Sequence, residues 1–376
     1  METLNEAMEM AGAAAYVIYA SSLDPDMRYL TQFATSDPFF YVQKRDEEGI
    51  LIVPQMELDR ARDEASCRVI SRGDARFFEF LEDEVSPRRA AARMVSEYVG
   101  GDIIVPGSFP LGIAEDLRLF CQVTVDRDTV EEMRAIKKPR ERDAIRTAQE
   151  HTNEVMAFAE NIIRHATIRG KELWYEGAPL TSDYLRREMH CWLLRHGYVA
   201  RDTIVSCGKE TAQPHNIGSG TLLADEPILI DVFPQNERTG YYADMTRTFV
   251  KGEPSSEIRE IYAAVRDGQT LAEKMLQPGI TGAEVHNAVL DHFTECGYVT
   301  GDEGFIHSLG HGVGLQIHES PSLSPRGDTL LAAGHVVTVE PGLYYRNTGG
   351  VRLENLGVIT KGGFVCYTKY ERRLII

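Results

Sequence analysis

The sequence predicts an α/β (α+β) protein with a small N-terminal domain and a larger, internally repeated C-terminal domain. Alternating or β-branched runs predict five strands in the first third of the chain, at 15–20, 39–43, 50–53, 68–70 and 102–105. A helical pattern over 75–98 separates the last two strands. After Val125 the pattern changes to long helices followed by strands. We therefore divide the chain into domains at 1–125 and 126–376.

The larger domain is predicted to contain two pairs of amphipathic helices. Apolar residues recur at helical spacing over 145–162, and again over 185–192 behind a Thr181 cap. The same arrangement recurs over 258–276 and then over 285–296, behind a capping box that starts at Thr281. The second helix of each pair runs into a similar string, RHGYV and then ECGYV. A match this short can also arise by chance, but together with the helix pairs it predicts a duplicated unit.

Composition excludes several classes of function. The chain of 376 residues has 57 acidic and 40 basic residues, and therefore a net charge of −17, which repels nucleic acid and anionic membranes. Its six cysteines lie far apart without a C-x-x-C pair, which is typical of a reducing compartment and predicts a cytoplasmic protein. The start of the chain is acidic, and its apolar run over 11–20 is short, so we expect neither a signal peptide nor a membrane span.

Two aspartates mark the first candidate site. The apolar strand that ends at Asp231 returns, after a turn, through a segment that ends at Asp244. A hairpin would place the two carboxylates opposite each other, where they repel unless a cation lies between them. Each aspartate could equally cap a turn.

A glycine-rich segment concentrates three histidines, His307, His311 and His318, within twelve residues. Glycines at 310, 312 and 314 allow the backbone to approach a ligand closely. This composition favours a metal or catalytic loop. Three histidines can form a zinc site alone, but their spacing matches none of the helical His–Glu pairs of zinc peptidases.

Two glutamates in apolar strands, Glu340 and Glu354, complete the set, because an unpaired carboxylate there would be costly. Arg352 alternates onto the same strand face as Glu354. The resulting donors suit two Mn²⁺, Co²⁺, Fe²⁺ or Zn²⁺ ions, and they are Asp231, Asp244, His311, Glu340 and Glu354. Two such ions about 3.5–4 Å apart can share a bridging hydroxide and polarise a carbonyl, which predicts metal-assisted amide hydrolysis.

The strings GYYADMTRTF, HSLGHGVGLQIHE, VTVEPGLYY and GGVRLEN, in this order, resemble the M24 metallopeptidase family in its aminopeptidase P and prolidase branch. The resemblance implies a pseudo-duplicated "pita-bread" catalytic domain, a creatinase-type N-terminal domain and a homodimer. The N-terminal domain is similar to that of the family around Arg28–Thr31 and at the Ile136–Pro139 entry to the catalytic domain.

The resemblance also implies roles for single residues. Asp244 and Glu354 would bridge two ions, Mn²⁺ or Co²⁺ before Zn²⁺ or Fe²⁺, and Glu340 would also be the general base and proton shuttle. His318 would contact the substrate and steady the tetrahedral intermediate, and His215 in QPHN would line the opposite side of the pocket. His307 and Arg352 would border the leaving-group site, where Arg352 could orient Asp244 or bind a substrate carboxylate. Thr246 and Thr338 could support the ligands.

The sequence departs from the family at one place. Where the family has Asp-x-Gly-Ala, this chain has Asp231-Val-Phe-Pro-Gln, and the interval of 13 to Asp244 is about two residues longer than usual. We expect an exopeptidase for Xaa-Pro bonds, with a peptide that has proline at its second position as substrate. A methionine aminopeptidase, or a creatinase-like hydrolase or lyase on the same fold, remains an alternative.

Overall fold

The computed structural model describes residues 3–376 and divides into two compact units, Met1–Arg134 and Ala135–Ile376. Met1 and Glu2, the first residues of the acidic start, lie outside the described residues. The predicted domain boundary near Val125 stays a prediction. Between residues 3 and 376, no helix combines the length and the apolarity that a membrane crossing requires.

A six-stranded mixed sheet forms the centre of the first unit. Its strands are β1 (Ala15–Ala20), β2 (Phe39–Lys44), β3 (Ile50–Val53), β4 (Arg68–Ser71), β5 (Ile103–Val105) and β6 (Val123–Val125), in the order β4-β3-β2-β1-β5-β6. The helices are α1 (Leu4–Ala11), α2 (Pro25–Thr31), α3 (Leu58–Glu64), α4 (Phe77–Asp83), α5 (Pro87–Val99), α6 (Leu111–Leu117) and α7 (Thr129–Ala135). The five predicted strands are confirmed to within one residue.

The single helix predicted over 75–98 is wrong, because the structure divides it into α4 and α5. Glu84 leaves the helical region with a ψ of 151°, and Ser86 caps the next helix by accepting from the backbone N of Arg89. Pro87 then occupies the first helical position, where its missing N–H has no partner to lose. A serine-proline pair inside an apolar pattern therefore starts a second helix.

The second unit consists of two helix pairs with antiparallel sheets. The helices are α8 (Pro139–His165), α9 (Ser182–Arg195), α10 (Ser256–Met275) and α11 (Gly282–Glu295). Strands before α10 are β7 (Thr167–Arg169), β8 (Glu172–Tyr175), β9 (Ala178–Pro179), β10 (Tyr198–Val199), β11 (Ile204–Cys207), β12 (Ile228–Val232), β13 (Gln235–Asn236) and β14 (Met245–Phe249). Strands after α11 are β15 (Gly310–Gly312), β16 (Glu319–Leu323), β17 (Val336–Val339), β18 (Gly342–Tyr345), β19 (Gly349–Arg352), β20 (Asn355–Thr360) and β21 (Gly363–Cys366).

The predicted duplication is visible in the helix ends. Thr181 and Thr281 each cap a 14-residue helix by accepting from a backbone N in its first turn. Both helices are followed by a glycine with positive φ, 78° at Gly197 and 86° at Gly297, which is the conformation that terminates helices. Sheet β11-β12-β14 follows the first pair, and sheet β16-β15-β17-β20-β21 follows the second. Apolar side chains of the first sheet pack with α8 and α9. The second sheet contributes to both cores, since Val336, Leu356 and Val358 pack in the first core and Val337, Val339 and Ile359 pack with α10 and α11.

The two threonine caps predict a matched effect on stability. We expect Thr181→Ala and Thr281→Ala each to lower the free energy of unfolding by about 1 kcal/mol, which for a unit of this size lowers its unfolding temperature by about 2–4 °C. Scanning calorimetry measures the shift. Thr294→Ala is the control, since Thr294 is exposed on α11 and its hydroxyl donates only to the Leu290 carbonyl oxygen. An equal loss of stability in this variant would contradict the assignment of the caps.

Candidate metal centre

The two aspartates lie on one face of a β-hairpin. Asp231 is in β12 and pairs in register with Thr246 of β14, while Asp244 immediately precedes β14. Because side chains two residues apart share a strand face, Asp244 points to the same side as Thr246 and Asp231. The carboxylates are therefore diagonal neighbours and not the directly opposed pair that the sequence analysis expected.

His311 is held with one ring nitrogen directed at carboxylates. Its Nδ1 donates to the carbonyl oxygen of Gly312 at 3.1 Å. Its Nε2 lies 3.2 Å from Glu340 Oε1 and 3.6 Å from Asp244 Oδ2. The backbone N of His311 donates to Thr338 Oγ1 at 3.1 Å. A backbone-bonded Nδ1 that leaves Nε2 for a metal is the usual geometry of a ligating histidine.

Glycines on both sides of His311 make this placement possible. A Cβ at Gly310 would collide with the carbonyl oxygen of Thr338, and one at Gly312 would collide with those of Glu319 and Ser320. The segment therefore fits between β16 and β17 only without side chains at these two positions.

The two glutamates face each other at the ends of adjacent strands. Val339 of β17 pairs with Asn355 of β20, so Glu340 and Glu354 are the next residues across this ladder. Glu354 also connects the two halves, because its backbone N donates to the carbonyl oxygen of Thr246 at 3.0 Å and its Oε2 accepts from Thr246 Oγ1 at 2.8 Å.

The structure brings the predicted ligands together. Ligand atoms of Asp244, His311 and Glu354 all lie within 4.8 Å of one another. Three buried carboxylate oxygens, Asp231 Oδ1, Asp244 Oδ1 and Glu354 Oε1, find no hydrogen-bond partner anywhere in residues 3–376. Buried acceptors are rarely left in this state. Hard oxygen donors with one imidazole fit divalent cations, so the residues match the metal that the sequence predicts.

The electrostatics show the same deficit of positive charge. Burial, and then the charges of neighbouring carboxylates, raise the pKa of Asp244 and of Glu354 well above their usual range. Burial also acts on Glu340, but the His311 hydrogen bond and charge, with His307 and Arg352, outweigh it and hold its pKa at about 2. Four carboxylates thus share the guanidinium of Arg352 and the imidazole of His311, and divalent cations would supply the positive charge that the cluster lacks.

Arg352 is bound to Asp231 and not to Asp244, so the expectation that it orients Asp244 is wrong. Its Nη2 donates to Asp231 Oδ2 at 2.6 Å. The reason is the alignment of β14, which places Thr248 beside Arg352 and Thr246 beside Glu354. Asp244 therefore lies beyond Glu354, on the side away from Arg352.

Tyr344 is a buried site residue that the sequence analysis missed. Arg352 Nη1 donates to the Tyr344 hydroxyl at 2.8 Å, and this hydroxyl lies 2.9 Å from His307 Nε2. Since His307 Nδ1 donates to the Ser308 carbonyl oxygen and burial lowers the pKa of the ring, Nε2 of the neutral ring accepts from Tyr344. Burial raises the pKa of Tyr344 to about 12, so the hydroxyl keeps its proton. The sequence signal for Tyr344 was its position at alternate residues from Glu340 through Gly342, which in an extended segment places it on the same face as Glu340.

The other two histidines lie on the open side of the cluster. The His318 ring packs edge-on against His311, with centroids 4.3 Å apart and planes at 84°. Burial lowers the pKa of His307 and of His318. His215 is exposed. The preceding carbonyl, that of Pro214, accepts from Arg352 at 3.3 Å. All residues predicted for the site therefore belong to one region of the second unit.

Paired helices, two antiparallel sheets and a buried carboxylate–histidine cluster together define a metal-dependent hydrolase. Residues 143–361 match the model of metallopeptidase family M24, and residues 1–136 match the creatinase/prolidase N-terminal domain. The chain belongs to metallopeptidase family M24. The resemblance seen in the sequence is thus confirmed, and the second unit has the pita-bread fold of this family.

Similar proteins cover almost the whole chain. A curated relative, the Xaa-Pro dipeptidase of Pyrococcus horikoshii, is 33% identical over 343 residues, which are 89% of this chain and 88% of that protein. The solved prolidase from Pyrococcus horikoshii OT3 has 27% identity and a TM-score of 0.82, with 99% and 98% of the two chains covered. The X-Pro aminopeptidase from Thermotoga maritima MSB8 has 25% identity and a TM-score of 0.80, with 98% and 99% covered.

Repulsion within the cluster predicts that Asp244→Asn stabilises the metal-free protein. Because the folded-state pKa of Asp244 is raised, the metal-free protein takes up protons on folding and loses stability as pH rises above the unfolded value of about 3.9. At pH 7 we expect the variant to unfold at least about 2–4 °C higher in a chelator and to lose the stabilisation that added metal gives wild type. Calorimetry with and without Mn²⁺ measures both. Asp267→Asn, at an exposed position of α10, should change neither.

Thr246 is predicted to support metal binding through Glu354. Thr246→Val removes the hydroxyl that donates to Glu354 Oε2 and accepts from Arg352 Nε at 3.2 Å. We expect metal affinity to fall by about 10–100-fold, measured by calorimetric titration of the metal-free protein. Thr248→Val is the matched control, since Thr248 bonds only backbone atoms of Arg352. Equal losses of affinity in both variants would contradict a specific role for Thr246.

Proposed function

We propose that the chain hydrolyses the peptide bond before proline at the N-terminus of peptides or in dipeptides. The observation that carries the proposal is the group of buried, unsatisfied carboxylate oxygens beside His311, in a family of metallopeptidases. The relatives named Xaa-Pro dipeptidase and X-Pro aminopeptidase support the substrate class. They disfavour a creatinase-like hydrolase or lyase and a methionine aminopeptidase.

The metal ions would be held by Asp231, Asp244, His311, Glu340 and Glu354, and Asp244 and Glu354 would be shared between the two. Two divalent ions, with Mn²⁺ or Co²⁺ ahead of Zn²⁺ and Fe²⁺, would polarise the scissile carbonyl and make water a nucleophile at neutral pH. Arg352 holds Asp231 in place, and Thr246 does the same for Glu354. Each of these partners occupies one oxygen of its carboxylate and leaves the other oxygen, Asp231 Oδ1 or Glu354 Oε1, without a hydrogen bond from any described residue.

The proton would pass through Glu340. As an ionised carboxylate, it would accept the proton of the attacking water at an oxygen atom and deliver it to the leaving nitrogen of proline. His318, on the open side of the cluster, would donate to the substrate carbonyl oxygen as negative charge develops there. His215 would line the opposite side of the pocket, and His307 and Arg352 would border the leaving-group site.

The homodimer and the cytoplasmic location are part of the same proposal. Support for the location comes from the six free cysteines, which suit a reducing compartment. The family resemblance supports the dimer.

The proposal is tested by hydrolysis of Ala-Pro and Ala-Pro-Ala after chelation and re-addition of Mn²⁺, Co²⁺ or Zn²⁺. We expect the protein to cleave these substrates only when metal is present, and not to cleave Ala-Ala. Glu340→Gln should lower kcat by at least about 10²-fold, whereas Glu237→Gln, at an exposed position of the β12–β14 hairpin, should not.

The products decide between the two activities. Cleavage of the dipeptide alone indicates a dipeptidase, and cleavage of the tripeptide indicates an aminopeptidase. If the metal-loaded protein cleaves neither substrate, the Xaa-Pro proposal is wrong.

A further inference from the structure

A buried ion pair lies next to the loop that carries His318. Lys137 Nζ is 2.7 Å from Glu319 Oε1, and both side chains are only 1% exposed. Glu319 directly follows His318 and begins β16. Taking two charges out of water is costly, and apolar residues of similar size often give equal or greater stability at such a place. The pair therefore calls for an explanation other than stability.

The lysine is fixed by its backbone. The N–H of Lys137 donates to the Gly334 carbonyl oxygen at 3.0 Å, and the preceding residue, Ile136, forms a β-bridge with His335. His335 Nδ1 accepts from the backbone N of Ala332, and burial together with the charge of Lys137 lowers the pKa of this ring to about 4. At neutral pH the adjacent histidine is therefore uncharged, and the ammonium is held where it meets Glu319.

The glutamate is surrounded by its own loop. Glu319 Oε2 accepts from the backbone N of Gln316 at 3.3 Å. Gly314 lies so close that a Cβ there would collide with Glu319 Oε1, and its N–H donates to the Gln316 carbonyl oxygen at 3.0 Å. Residues 314–319 thus fold around one carboxylate, and His318 is a member of this loop.

We infer that the Lys137–Glu319 ion pair positions His318 against His311, and that Lys137 and Glu319 are positioning residues for the reaction. A charged carboxylate binds the ammonium and the backbone N–H of the loop at once, which an apolar pair of equal volume could not do. The loop is thereby fixed to the segment at Lys137, and the His318 ring is held 4.3 Å from the His311 ring. The inference rests on the proposed function in taking His318 as the group that contacts the substrate.

A double-mutant cycle tests this role. The variants are Glu319→Gln, the neutral pair Lys137→Met with Glu319→Gln, His318→Ala, and the combinations of each pair variant with His318→Ala. The neutral pair is included because a single substitution leaves one buried charge unpaired and can prevent folding. When His318 is present, we expect Glu319→Gln and the neutral pair each to lower kcat by roughly 10–100-fold with little change in KM. The reason is that a misplaced catalytic group acts mainly on the transition state. In the His318→Ala background the same substitutions should change kcat by less than about twofold.

A crystal structure of the neutral-pair variant provides a readout that does not depend on activity. We expect the His318 ring to leave its edge-on contact while His311 and the metal content, measured by plasma mass spectrometry, stay as in wild type. Arg164→Met is the control, because it breaks another ion pair of this unit, the one with Glu160, at the far end of α8. It should affect stability without any coupling to His318→Ala.

Two results would overturn the inference. One is an equal fall of kcat in both backgrounds, which would make the pair merely structural. The other is a His318 ring that stays 4.3 Å from His311 in the neutral-pair variant. If the wild-type protein cleaves no Xaa-Pro substrate, the proposed function fails on its own, and the crystal structure still decides whether the pair positions His318.

Discussion

Repulsion among four carboxylates, three of them buried, is the constraint on which the second unit depends. Asp231, Asp244, Glu340 and Glu354 converge at strand ends, and one guanidinium, that of Arg352, offsets only part of their charge. A protein interior tolerates such a cluster only when cations enter it or when some of the groups take up protons. The folded cluster therefore favours the binding of cations, and the polar groups around it hold the carboxylates in position when no cation is bound.

The duplicated architecture explains how this repulsion is contained. Each half supplies a buried glutamine from the first helix of its pair. Gln149 of α8 accepts from the backbone N of Asp244 at 3.2 Å, whereas Gln269 of α10 donates to the carbonyl oxygens of Val339 and Leu353, each at 2.9 Å. These three backbone positions are ligand residues or directly precede them. The helices thus hold the ligand strands through the main chain, which leaves the carboxylate oxygens to one another and to a metal.

Strand positions and ligand types could be predicted from the sequence, because alternation and isolated polar groups in apolar strands are local signals. The hydrogen-bond partners of the site residues could not be predicted, since they depend on the register between strands that are distant in the sequence. Arg352 was expected beside Asp244 and lies on Asp231, 121 positions away. Tyr344 was missed because its two partners, Arg352 and His307, come from different segments. The break before Pro87 was a local signal, and the apolar periodicity on both sides concealed it.

The hairpin between Asp231 and Asp244 connects the proposed metal ligands to the loop that carries His318. The register of β12 with β14 keeps Asp231 and Asp244 on one face, because side chains alternate with a period of two. Between the two aspartates the chain forms β13, which pairs with β10 through Tyr198 and Asn236. It returns through Tyr242, whose N–H donates to the carbonyl oxygen of Gly314 at 2.9 Å. Since Gly314 starts the loop that carries His318, a change in this hairpin would act on the loop that we propose to face the substrate, while the register of β12 with β14 holds the two aspartates.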